Sequence, residues 1–210
     1  MNPTQLFASY ELLMDQADQA FQETRKAHGA CIRCERHCSD CCHAMFGLFL
    51  IEAAYIQQHF SKLGTKTREE AILRCGEADR DLERLEKRLK AHENDPQMSS
   101  YALARERIRC PLLDASEECI LYPHRPITCR VYGIPTRIQG KGRVCGKSRF
   151  GKGTPYPTFD LDSIYQSLFS LSKEILKETG ADILERASLL ISVSKALNTP
   201  LEELLEKDFE

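Results

Sequence analysis

A chain of 210 residues is long enough to bury a hydrophobic core, and its 42% apolar and 29% charged residues exclude a disordered polymer. A formal charge of −2 removes any whole-molecule electrostatic argument for nucleic acid or for an anionic membrane surface. Tryptophan is absent and aromatics make up only 8%, which fits a mostly helical chain better than an aromatic-rich β-sandwich.

Taken from the N-terminus, Asn2 is placed to cap a helix with Pro3 at its first position. Leu6, Tyr10, Leu13, Ala17 and Phe21 form its apolar stripe, and Gly29 is its expected stop. Glu11, Asp15 and Asp18 interrupt any apolar run here, so no signal peptide is expected. The longest apolar stretch, Met45 to Ile51, falls far short of the roughly 20 residues that span a bilayer. A cytoplasmic protein without a membrane segment is therefore expected. The cysteine run Cys31–Cys42 comes next, and a second helix is expected from Gly47 to Phe60.

A third helix is expected from Thr67, whose spacing to Glu70 fits a capping box, with Cys75, Ala78, Leu82, Leu85 and Leu89 as its seam. Asn94-Asp95-Pro96 breaks it. Between Cys110 and Pro157, proline and glycine recur too often for long helices, and short strands such as Val131 to Ile134 are expected. Helix returns at Leu161, Ile164, Leu168, Leu171 and Ile175, ending near Gly180. Ile183, Ala187, Leu190, Ile191 and Leu197 mark another helix to Asn198, and Thr199-Pro200 can open a short last one. The expected fold is mainly α: a small helical domain wrapped around an irregular cysteine-rich metal-binding segment. A single domain over 1–210 is expected, with an N-terminal helix in 1–30, a cysteine-cluster core with inserted helices in 31–157, and C-terminal helices in 158–210.

Ten cysteines need a reason. In a reducing compartment clustered thiols act as metal ligands or redox groups rather than as a disulfide scaffold. The pattern C-x2-C-x3-C-x2-C-C is formed by Cys31, Cys34, Cys38, Cys41 and Cys42. On a helix, Cys34, Cys38 and either Cys41 or Cys42 would share one face. In a loop, the same spacing still suits sulfurs converging on one centre. Cys110, Cys119, Cys129 and Cys145 are spread through the irregular segment, as loops drawn inward to a metal would place them. Neighbouring side chains diverge in most backbone conformations, so Cys41 and Cys42 would serve two centres, or one would be a spare. Cys75, on a helix seam, reads as core filler.

The run Cys34, Cys38, Cys41, Cys42, then Cys110-Pro-Leu-Leu, then Cys119-Ile-Leu-Tyr followed by Arg125-Pro126 and Cys129-Arg130, resembles the YkgJ-type cysteine-cluster family. That resemblance covers roughly Cys31 to Cys145 and implies a zinc- or iron-chelating site, in some descriptions an Fe–S oxidoreductase. Cys31 is an addition to the family's core pattern. Some relatives resemble the cysteine-bearing part of flagellin lysine methylases, which keeps methyl transfer open. The C-x3-C-x2-C spacing also matches radical S-adenosylmethionine enzymes, but those need repeated strand–helix units that this chain lacks.

Thiolates suit zinc and iron–sulfur clusters alike. The scatter of the ligands tilts the expectation towards a [4Fe-4S] cluster, with zinc as the alternative. Arg125 and Arg130 are candidates to offset thiolate charge or hold a bound carboxylate; the plainer alternative makes Arg125 a turn anchor and Arg130 a surface residue. His37, His43 and His124 are read as flanking groups, and His59 and His92 as surface helix residues. Arg137, Lys141, Arg143, Lys147, Arg149 and Lys152 form a basic run that reads as a solvated loop. Beyond Phe150 no aromatic residue interleaves with it, so nucleic acid is a disfavoured partner. Three functions stay open: a redox or metal-dependent enzyme, a non-catalytic zinc-binding structural or interaction module, and a metal carrier or sensor. No nucleophile, general base or substrate can be named.

Overall fold

The computed structural model describes residues 3–35, 37–92, 94–95, 97–98, 106–177 and 184–206. Its first apolar stripe folds as helix α1, Pro3–His28, with Leu6, Tyr10, Met14 and Ala17 buried. Pro3 stands at the first helical position, while its expected cap, Asn2, lies outside the described residues. Basic side chains at Arg25, Lys26 and His28 face the negative end of the helix dipole. The chain then tightens into a single turn, Gly29–Cys31.

Helix α2, Leu50–Phe60, starts three residues later than expected. Leu50 to Ile56 are buried without interruption, the signature of a helix surrounded by protein rather than one with a wet face. One side packs into a core with Leu112, Leu121, Leu176, Ala187 and Ile191. The other side, through Ile51 and Tyr55, joins a second core with Leu6, Tyr10, Ile127, Val131, Leu161 and Leu168. Among these apolar neighbours sits one carboxylate, Glu52, 3% exposed. It accepts the backbone N–H groups of Phe49 (3.1 Å) and Ile127 (3.2 Å), and Tyr10 Oη lies 3.5 Å away. Burial pushes the Glu52 carboxyl up to about 7, against the pull of those donors.

Helix α3, Thr65–Ala91, begins two residues before the expected Thr67 and has no side-chain cap, so the Thr67–Glu70 pair lies inside its first turns. Its seam is as expected, with Cys75, Ala78 and Leu85 buried and Leu82 and Leu89 packed beside them and Ile108.

Through residues 106–160 the elements are short. The expected strand at Val131 to Ile134 is instead the end of helix α4, Ile127–Val131, and a turn closed by Ile134 N–H on the Val131 carbonyl at 3.1 Å. Pro126 sets the helix entry, and Ile127 and Val131, four residues apart, bury one face. Strand β1, Thr136–Ile138, pairs antiparallel with β2, Lys141–Arg143, and parallel with β3, Phe159–Asp160. The two-residue hairpin turn holds Gln139 and Gly140 at φ 52° and 69°, and both N–H groups donate to the Asp162 carboxylate.

Helix α5, Leu161–Lys177, buries Leu161, Ile164, Leu168, Ser172 and Leu176; its expected stop at Gly180 lies outside the described residues. The single helix expected from Ile183 to Asn198 is two: α6, Leu184–Ser188, and α7, Val193–Asn198, with Ile183 outside the described residues. Between them Ile191 leaves the helical path to bridge Leu48 through two backbone hydrogen bonds of 2.8 and 2.9 Å. That approach requires Gly47, where a side-chain carbon would overlap Leu190. Ser192 then caps α7 by accepting the Lys195 N–H at 3.1 Å. Helix α8, Leu201–Glu206, follows Pro200 as expected. No described helix is long and apolar enough to cross a membrane.

Candidate metal centre

Three parts of the chain bring sulfur to one place. The first is the turn Asp40–His43, between α1 and α2. Its tight winding puts Cys41 Sγ and Cys42 Sγ 4.0 Å apart, so the adjacent side chains do not diverge as expected. The second is the loop carrying Cys110 and Cys119. The Cys110 N–H donates to the Cys42 carbonyl at 2.7 Å, tying this loop to the turn. A bridge from Leu113 to Cys119 closes the loop, and the Asp114 carboxylate inside it accepts the N–H groups of Ser116 and Glu118. The third is α4, which carries Cys129.

Cys41, Cys42, Cys110, Cys119 and Cys129 all line one cavity of about 90 Å³. The rest of its wall is mostly apolar, including Met45, Phe46, Leu82, Ile108 and Val193, with Arg109 and Arg125 as the cations. Burial pushes the Cys110 thiol up to about 12 and the Cys119 thiol up to about 11. Cys41 is the exception. Hydrogen bonds from Cys129 and Cys42 pull it far below the usual thiol range, and Arg125 adds to the effect. Giving those bonds to Cys41, together with burial, pushes Cys42 and Cys129 well up. The arrangement thus favours negative charge at Cys41 and disfavours it at Cys42, Cys110, Cys119 and Cys129.

Cys34, Cys38 and Cys145 gather beside this cavity but do not line it. Burial, with Cys38 and Cys145 nearby, pushes Cys34 up to about 12. The Cys145 thiol donates to Asp40 Oδ2 at 3.4 Å. Burial would raise Asp40, but Arg107 (2.7 Å), the Cys145 thiol and Lys147 together hold it below the usual carboxylate range. Cys31 stands apart in the Gly29–Cys31 turn, its carbonyl accepting the Arg149 N–H at 2.8 Å. Cys75 is fully buried on the α3 seam and is not part of the cavity wall, though it is near enough to Cys110 to add to the rise of that thiol.

The two arginines part company. Arg125 lines the cavity, its guanidinium 3.9 Å from the centre of the Tyr122 ring, and its buried Nε has no hydrogen-bond partner among the described residues. Arg130 is neither at the surface nor on the cavity wall. It is 5% exposed, and its guanidinium donates to Asp18 and to the carbonyls of Pro123 and Arg125. It therefore positions the turn that carries Arg125. His37 contacts the Ser116 carbonyl and His43 the Ser39 carbonyl, and neither faces the cavity. His59 is half-exposed in the last turn of α2, and His124 stacks on it at 3.5 Å beside Tyr55.

Two residues at the site carry no metal-ligand signature. Asp40 sits inside the cysteine run and could have been noticed there. Gly133 could not: a side-chain carbon on it would overlap the Cys34 sulfur. Replacing Gly133 by Ala is expected to cost about 1–3 kcal/mol through overpacking, read from urea unfolding, and to expose Cys34 to thiol reagents. Unchanged stability and reactivity would show that the close approach is dispensable.

Among the described residues, no three Cys, His, Asp or Glu side chains stand as a complete set of metal ligands. The class defined so far is a mainly helical protein with a thiol-lined cavity. The chain matches no family model, no characterised protein and no solved structure.

Proposed function

We propose that this protein binds a thiophilic metal, zinc or a [4Fe-4S] cluster, at the cysteine-lined cavity. One observation carries the reading: five cysteines from the 40–43 turn, the 110–119 loop and α4 line a single half-open cavity. The soft, all-sulfur donor set fits both candidates. The 4.0 Å between Cys41 and Cys42 is close to the roughly 3.8 Å that tetrahedral zinc–sulfur bonds of about 2.3 Å impose. A bound cation would compensate the thiolate charge that the apolar wall disfavours, with Arg125 as a fixed second positive group. The resemblance of the cysteine spacing to YkgJ-type proteins supports the same reading. A reducing compartment such as the cytoplasm belongs to it, because the thiols must stay reduced to ligate.

Elemental analysis and a visible spectrum after anaerobic purification test the proposal. Broad visible absorption with iron assigns a cluster, whereas a colourless sample with zinc assigns the ion. Cys129→Ser is expected to weaken metal retention by at least about tenfold, the loss that even a removed outer partner causes. Cys75→Ser is expected to leave it unchanged. Folded, reduced protein that holds no transition metal after reconstitution sinks the reading.

A further inference from the structure

Three acids on or against the segment 137–162 are already engaged. Asp160 pairs with Arg137, the Asp162 carboxylate accepts two hairpin N–H groups, and Asp40 faces Arg107 and Lys147. Lys26, Arg33, Lys141, Arg143, Arg149 and Lys152 form no ion pair with any described residue. In a chain of net charge −2 these unpaired cations are not scattered. The 141–152 segment runs past the 31–40 loop, with Cys145 on Asp40 and the Arg149 N–H on the Cys31 carbonyl, and Tyr156 just beyond it meets the last turn of α1.

At that junction the fold assembles aromatic rings that are far apart in sequence. Tyr156 meets His28 of α1 edge-on at 5.2 Å and Phe150 edge-on at 4.9 Å. The Gly151 N–H donates to Tyr156 Oη at 3.1 Å, which fixes the phenol against the loop. All three rings are half-buried, so each keeps part of its surface in water, while Lys26, Arg149 and Lys152 around them are exposed. The lack of interleaved aromatics that disfavoured nucleic acid in the sequence is thus removed by tertiary contacts.

We infer that this face binds single-stranded nucleic acid. The cations hold phosphates and the half-exposed rings receive bases, without sequence-specific readout. Rings offer an acidic protein segment little, whereas every base has a face to stack. The inference stands on surface geometry and does not rest on the metal reading.

Fluorescence anisotropy with a labelled oligothymidylate and the whole protein tests it. With the three exposed cations around the rings, Lys26, Arg149 and Lys152, as phosphate contacts at a slope of about −0.7 each, the log–log salt slope is near −2, roughly a twenty-fold loss between 50 and 200 mM salt. The double variant Arg149→Gln, Lys152→Gln is expected to bind more weakly and flatten that slope by about 1.4. Tyr156→Leu is expected to weaken binding with the slope unchanged. No binding at 50 mM salt, a double variant with wild-type affinity, or equal binding of a polyglutamate peptide each overturns the inference, the last by assigning the face to acidic protein.

Discussion

Replacing Glu52 by Gln is expected to destabilise the protein at pH 5 and to cost much less, or to stabilise it, at pH 8. The two oxygens of Glu52 accept N–H groups at the starts of α2 and α4, so the residue joins two helix ends inside an apolar core. A glutamine amide presents an N–H group to one of those donors and leaves it unpaired, at about 1–3 kcal/mol. The carboxylate carries its own penalty, because its pKa is raised to about 7 from 4.5. A raised pKa means that the folded state holds a proton which the unfolded state has lost. The contribution of Glu52 is therefore full below 4.5 and is lost as pH rises through 7, a change of about 3 kcal/mol at 1.36 kcal/mol per unit. Urea unfolding of both proteins across this range checks it. A difference in stability that stays constant with pH would place the titration elsewhere.

Metal retention is expected to weaken steeply on acidification. Every thiol that ligates must first lose its proton, and burial holds Cys110 near 12 and Cys119 near 11. Below those values each such thiol contributes about a tenfold loss of apparent affinity per pH unit of acidification. Cys41 adds less to this dependence, because hydrogen bonds from Cys129 and Cys42 pull its thiol far below the usual range. Two or three protonated ligands thus give a hundred- to thousand-fold change per unit, on the order of 3–4 kcal/mol. Competition with a chelator whose own proton affinity is known measures this directly. A flat pH dependence would mean that these sulfurs are not the ligands.

Local pattern carried much of the fold. The stripe Leu6, Tyr10, Ala17 gave α1, the seam Cys75, Ala78, Leu85 gave α3, and Leu161, Ile164, Leu168 gave α5. The errors share a cause. The helix expected across 183–198 yields at Ile191 because a backbone bridge to Leu48, far away in the chain, outweighs one more helical turn. The strand expected at Val131 lost to a Pro126-led helix whose buried face is defined by α1 and α2.

The number of cysteine thiols is a property of composition, readable from the run at Cys31–Cys42 and its distant companions. Which sulfurs share a space is not. Long-range hydrogen bonds such as Cys110 N–H to the Cys42 carbonyl place five around the cavity and leave Cys34, Cys38 and Cys145 beside it. The same holds for Arg130, whose burial depends on Asp18 and a remote turn, and for the rings of His28, Phe150 and Tyr156. Helical periodicity is visible within a few residues of chain, because the backbone repeats locally. Convergence of side chains depends on how loops close, and that is settled by contacts between residues that no local pattern relates.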